Sequence, residues 1–263
     1  MFRSLTPTVK NLLIITVGIH FISEFFMPQL KSLFALYHIE SRFFMPFQFL
    51  TYMFMHADFW HLFSNMFGLF IFGPLLEQFL GPKKIIILWM VCGIGSGILY
   101  NGYSIYKINK LDNHIEAFVA NPDPEIFRKF VSDNSHLFNS GIYDLTEDFS
   151  NNPDRTDLIE RAKMNMLGIR DRMVNIPMVG ASGALFGVLI AFGMLFPNTQ
   201  LFLLFPPMPI KAKYLVLFYG LYTVYNIFVS NPADNVAHFA HLAGLAVGAG
   251  LVTYWKRDRK NFY

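Results

Sequence analysis

Charge is scarce in this sequence. Lys, Arg, Asp and Glu make up 15% of its 263 residues, against roughly 25% in average soluble chains. Cysteine is scarcer still. Cys92 stands alone, which excludes a disulfide framework and a cysteine-built metal site within one chain. There is no His-Glu-x-x-His pattern, and no Asp or Glu lies deep inside an apolar run. A metal-dependent membrane protease or a metal transporter built on His56, His61, His238 and His241 would therefore lack a ligand to complete its site. No metal and no cofactor is expected. The net charge of +3 comes with no basic cluster interleaved with aromatics, so nucleic acid is not suggested as a partner. What is abundant is apolar surface, 54% of the residues, and the expected class is an all-α integral membrane protein whose surroundings are a lipid bilayer.

Apolar runs and their breaks divide the chain into six expected spans. The first runs from about Val9 to Met27, interrupted by His20 and Glu24. No small-x-small cleavage pattern follows it, so it reads as a retained span rather than a signal peptide. Residues 30–50 mix many aromatics with Lys31, Glu40, Arg42 and Pro46, a composition suited to a segment lying in the membrane interface. The second span is expected over Asp58–Leu80, ended by Gly81-Pro82. The third runs from Ile85 to about Tyr106 and carries Gly93, Gly95 and Gly97 for close helix contact.

Residues 106–175 then hold 21 of the 39 charged residues. Leu158, Ala162, Met166, Ile169 and Met173 recur there at helical spacing, which predicts an amphipathic helix over about 156–173. The segment reads as an extramembrane insertion, too short to assume a core of its own, with its amphipathic helix suited to lie on the outer membrane surface. The fourth span is expected over Ala181–Phe196. A Pro-rich loop leads to the fifth, about Tyr214–Val229, and the sixth covers about Val236–Trp255. Arg3, Lys10, Lys83, Lys84, Lys211, Lys213 and the terminal Lys/Arg cluster then share one side, and the opposite short loops hold only Lys31 and Arg42. That asymmetry places both termini in the cytoplasm, with a bacterial cytoplasmic membrane as the expected setting.

The fourth span opens Gly180-Ala181-Ser182-Gly183. A helix N-terminus presents unpaired N–H groups and a positive partial charge, so a hydroxyl there can be held beside a developing anion. Taken alone, the small residues are better explained by helix packing. Spans two and six begin at the same depth as Ser182, and both open with polar residues. His61 and Asn65 are four apart, on one helical face, and His238 and His241 open span six. Polar groups at membrane depth are expensive and default to a functional reading. A serine, a histidine and a His/Asn pair at one depth fit a nucleophile, a base and oxyanion donors. His56 and His238 read as structural, and His20, His38, His114 and His136 as ordinary. Glu77, near the inner end of span two, reads equally as a cap on helix contacts or an interface charge.

Together, Gly180-x-Ser182-Gly183, His61-x-x-x-Asn65 and Ala240-His241-x-x-Gly244-x-x-x-Gly248 resemble the signatures of the rhomboid intramembrane serine proteases. The resemblance implies a six-helix bundle with an interfacial first loop, formed by residues 1–105 and 179–255. The 106–178 insertion falls between helices three and four, and 256–263 is a basic cytoplasmic tail. It implies Ser182 as nucleophile and His241 as general base and acid. The Ser182 N–H, His61 and Asn65 would bind the oxyanion, and Phe186 would stack under the base. Gly180, Gly183, Gly244 and Gly248 would allow close approach. The implied activity is endopeptidase cleavage of transmembrane segments in other membrane proteins. The competing implication is a non-catalytic relative that binds membrane clients, against which stands the presence of both Ser182 and His241. The insertion is a departure from the minimal family plan.

Overall fold

Pro7 opens the first helix, α1 (Pro7–Phe25), where its fixed φ suits a first helical turn. The free N–H groups of that turn are received from another helix: Glu77 of α4 (Phe59–Leu80) accepts from the Thr8 and Val9 amides at 3.0 and 2.9 Å and from the Thr6 hydroxyl. Glu77 is thus a cap on a neighbouring helix. Asp58 caps α4 in turn, its Oδ1 accepting from the His61 amide at 2.8 Å. Gly81, at φ 85°, ends α4, and Pro82 immediately starts α5.

The computed structural model describes residues 5–202, 208–229 and 236–257 and is nearly all helical. Between α1 and α4, the expected interfacial segment is two short helices, α2 (Gln29–Phe34) and α3 (Gln48–Thr51), joined by turns. Gln48 is fully buried and gathers the segment. Its amide donates to the Leu33 and Phe43 carbonyls, and its Oε1 accepts from the Tyr37 and Met45 amides.

α5 (Pro82–Ala120) does not stop near Tyr106 as the sequence predicts. Its 39 residues extend roughly 58 Å at 1.5 Å per residue, about twice a ~30 Å hydrocarbon layer. The polar residues after Tyr106 keep good helix formers and no proline until Pro122, so nothing in the backbone breaks the helix at the change in composition. α6 (Pro124–Asp133), α7 (Gly141–Asn151) and α8 (Thr156–Asn175) follow.

The insertion, contrary to expectation, has its own core. Phe118, Phe127, Phe130, Phe149, Leu158, Ala162 and Met166 are all buried together, with Ile108 and Leu111 of α5 beneath them. The amphipathic helix forms where predicted, but its apolar stripe faces these helices rather than a membrane surface. α6 and α7, whose phenylalanines cover that stripe, lacked a pattern long enough to be read from sequence.

The remaining elements are α9 (Ser182–Leu195), α10 (Ala212–Phe228) and α11 (His238–Arg257). Between α9 and α10 the expected loop contains a two-stranded antiparallel ribbon, β1 (Gln200–Phe202) with β2 (Pro209–Lys211), in register Leu201 to Ile210. Most of the basic tail expected at 256–263, and the 231–235 connection, lie outside the described residues. α9 is central, packed against α4, α5, α10 and α11. Among the described residues, α1, α4 and α5 are long and apolar enough to cross a membrane, and α9 is apolar but shorter at 14 residues.

Candidate active site

Close backbone approach builds this site. On α11, a Cβ added at Gly244 would lie 2.1 Å from the Gly183 carbonyl oxygen. One added at Gly248 would lie 2.8 Å from the Gly187 Cα. Ordinary contacts begin near 3.4 Å, so only glycine lets α11 sit this close to α9. α5 closes the third side. Cβ atoms at Gly183 and Gly187 would strike Ser96 Oγ at 2.5 Å and Cys92 Sγ at 2.3 Å. Ser96 is itself fixed, donating to the Cys92 carbonyl at 2.6 Å.

That packing brings two polar side chains together. His241 Nε2 and Ser182 Oγ are 2.8 Å apart across 59 residues of sequence, within the ~2.6–3.2 Å needed for proton transfer between a nucleophile and its base. Phe186, one turn along α9 from Ser182, stacks on the His241 ring with centroids 4.2 Å apart and planes 10° from parallel. Tyr219 of α10 meets Phe186 edge-on at 6.2 Å. His238, a turn before His241, meets His241 and Tyr222 edge-on at 5.9 and 6.0 Å.

The loop before Ser182 is held from the interfacial segment. Met178 and Leu36 exchange two backbone hydrogen bonds of 2.9 and 2.8 Å, and the Gly180 amide donates to the Tyr52 carbonyl at 3.0 Å. Tyr52 is anchored by its hydroxyl, which donates to the Gly93 carbonyl at 2.7 Å. Gly180 has φ 118°, a conformation that suits glycine. A Cβ there would also lie 2.6 Å from His61 Nε2, so the His61 ring presses on the backbone two residues before the serine.

His61 and Asn65 share one face of α4, as their spacing predicts. Asn65 is buried; its Nδ2 donates to the His61 carbonyl at 2.7 Å, and its Oδ1 has no partner. One amide hydrogen thus remains for another acceptor. His56 is fully buried, and desolvation pulls its imidazole down to about 3, keeping it neutral. Its ring stands edge-on to His61 at 5.1 Å and to His20 of α1 at 6.2 Å. Among the described residues, no three His, Cys, Asp or Glu side chains group as metal ligands.

All of the predicted glycines, Ser182, Phe186 and His241 therefore converge, with His61 beside them. Sequence reasoning missed Tyr52, Ser96, Cys92 and Tyr219, whose roles depend on tertiary contacts. The only sequence signal for any of them is the Gly93-x-Gly95-x-Gly97 cluster. Gly95 faces Val247 of α11, but Gly93 and Gly97 receive Met53, Leu36 and Tyr52 of the interfacial segment.

The chain is similar to RHOMBOID-like protein 12, mitochondrial, of Arabidopsis thaliana, 27% identical over 211 residues, which is 80% of this chain and 46% of the relative. It is also similar to Rhomboid-like protein 11, chloroplastic, of the same plant, 36% identical over 89 residues, 34% of this chain and 30% of the relative. The chain thus matches less than half the length of either. A family model described as the Rhomboid domain matches residues 44–107 and 158–257. It skips 108–157 and resumes within α8. With α9, α11 and the interfacial segment from Phe44 inside the matched residues, the chain belongs to the rhomboid family.

Proposed function

We propose that this chain is an intramembrane serine endopeptidase that cleaves transmembrane segments of other membrane proteins. The observation that carries the reading is the 2.8 Å contact between Ser182 Oγ and His241 Nε2. In the proposed reaction His241 Nε2 takes the Ser182 proton as Oγ attacks the scissile carbonyl carbon. The resulting oxyanion faces the Ser182 amide, at the positive end of α9, and the side chains of His61 and Asn65. His241 then gives its proton to the departing amine. A water molecule, deprotonated by the same histidine, hydrolyses the acyl-enzyme. Phe186, stacked flat under the imidazole, holds the ring in the orientation that an Asp secures in three-residue serine protease sites.

Six helices cross the membrane in this reading, in two halves, 1–105 and 179–255, with both termini on the basic, cytoplasmic side. At 14 residues, α9 spans roughly 21 Å, short of a ~30 Å hydrocarbon layer. Ser182 at its N-terminus therefore lies below the outer surface and needs a wet cavity above it. A substrate helix must unwind to reach Ser182, which favours cleavage near helix-destabilising Gly or Pro. The similar proteins are named as mitochondrial and chloroplastic, which does not support the bacterial membrane expected from sequence.

The test is cleavage of a transmembrane substrate by the purified protein and by Ser182→Ala and His241→Ala. Both variants are expected to be inactive. Cleavage surviving in either overturns the mechanism. An inactive wild type that also resists serine-directed fluorophosphonate indicates a client-binding relative instead.

A further inference from the structure

Three consecutive residues before α4 each touch His61. The His56 ring stands edge-on to it at 5.1 Å. The Ala57 amide donates to His61 Nδ1 at 3.5 Å. Asp58 Oδ1 accepts from the His61 amide at 2.8 Å. An imidazole whose Nδ1 accepts must, when neutral, carry its proton on Nε2, and Nε2 is the nitrogen beside Gly180 and the serine loop. Residues 56–58 therefore select the tautomer in which His61 donates toward the reaction site.

This tripeptide is itself held from outside. Lys31 Nζ of α2 donates to the Ala57 carbonyl at 3.2 Å and pairs with the Glu24 carboxylate of α1. His20, one turn before Glu24 on α1, meets His56 edge-on at 6.2 Å. Ala57 is thus held through both of its flanking peptide groups, its N–H by His61 and its C=O by Lys31. A lysine on a solvent-exposed helix is ordinarily free to move. Here its ammonium spans α1 and the loop and fixes the Ala57–Asp58 peptide, the neighbour of the His56–Ala57 peptide whose N–H meets His61.

Resting on the protease reading above, we propose that the Glu24–Lys31 pair is a positioning clamp: it fixes the Ala57 carbonyl and, through the Ala57 backbone, aims the adjoining N–H that holds His61 in the tautomer and direction that stabilise the oxyanion. Lys31 touches no substrate and acts only through His61. Losing an oxyanion donor outright costs about 10²–10³ in rate, and loosening one without removing it is expected to cost about tenfold.

The experiment measures kcat and KM for cleavage of a transmembrane substrate by the wild type, Lys31→Met, His61→Ala and the double variant. Lys31→Met keeps the alkyl stem and loses the ammonium with its hydrogen bond and ion pair, at a half-buried position on a short helix. It is expected to lower kcat about tenfold with KM unchanged, and Lys31→Arg to restore most of the rate. In the His61→Ala background the same substitution should cost nothing further, since residues acting as one unit are non-additive. A merely structural Lys31 would reduce both backgrounds by the same factor, and that result, or an unchanged kcat in Lys31→Met, overturns the clamp. Cleavage surviving in Ser182→Ala would instead overturn the protease reading itself.

Discussion

Substituting Gly244 by Ala adds one methyl group and should abolish most activity. The new Cβ would lie 2.1 Å from the Gly183 carbonyl oxygen and 3.0 Å from its carbon. Neither atom can rotate away, because both belong to the first turn of α9. Ordinary contact begins near 3.4 Å, so α11 must retreat by about 1 Å or more at this level, allowing for the short contacts that oxygen tolerates. His241 lies one turn earlier on the same helix and would move with it. A Ser182–His241 separation now at 2.8 Å would open to roughly 3.8 Å, beyond the ~3.2 Å limit for proton transfer. Misplacement of this size costs about 10²-fold in rate. The overpacking itself should cost about 1–3 kcal/mol of stability, so the variant is expected to fold. The control is Gly250→Ala on the same helix, where a Cβ meets nothing within 4 Å. The assay pairs substrate cleavage with the rate of Ser182 labelling by a fluorophosphonate, each normalised to folded protein by thermal unfolding in detergent. Gly244→Ala should lose about 10²-fold in both readouts and Gly250→Ala should lose neither. A folded Gly244→Ala protein that cleaves at the wild-type rate would refute the close-approach argument.

Phe186→Ala removes the stacked ring under His241. An aromatic pair is worth about 0.5–1.5 kcal/mol, so kcat should fall between about twofold and tenfold, and Phe186→Tyr should retain it. Arg170 of α8 joins Glu40 at 2.7 Å to Asp112 of α5 at 2.5 Å. These side chains are about a third exposed, so each pair is worth at most ~1 kcal/mol, and Arg170→Ala should lower Tm by roughly 2–4 °C, an effect that shrinks in high salt. His38 is buried with Nδ1 accepting from the Glu40 amide, and desolvation holds its imidazole below the ordinary value. The unfolded chain then binds a proton below about pH 6.5 that the folded chain refuses, so stability falls as pH drops from there toward the depressed folded pKa. Thermal unfolding between pH 5 and 8 should show a shallower slope in His38→Gln than in wild type, and an identical slope would contradict the buried neutral imidazole.

The apolar helices were legible because their apolar runs end at residues that stop helices, such as Gly81-Pro82 and Phe196-Pro197. The proposed dyad was legible because Ser182 and His241 each lie in the first turn of a helix, with small residues at the spacing that close packing requires. What failed to read was whatever depended on burial by another segment. The continuation of α5 past Tyr106 follows from local propensity, yet the change from apolar to charged residues looked like a boundary. The insertion core was invisible because Phe127, Phe130 and Phe149 lie on two short helices of different phase, and only α8 was long enough to show its stripe. Tyr52 contributes a carbonyl to Gly180 and a hydroxyl to Gly93. The first of these is open to any residue type, and no spacing in the sequence announces it.

The unbroken length of α5 has a mechanical corollary. A stiff rod of roughly 58 Å that tilts by about 1° displaces one end by about 1 Å relative to the other. Its lower part wedges Cys92 and Ser96 against the glycines of α9, while its upper part is embedded among the phenylalanines of the polar lobe. Whatever leans on that lobe leans, through a lever with no joint, on the helix that carries Ser182.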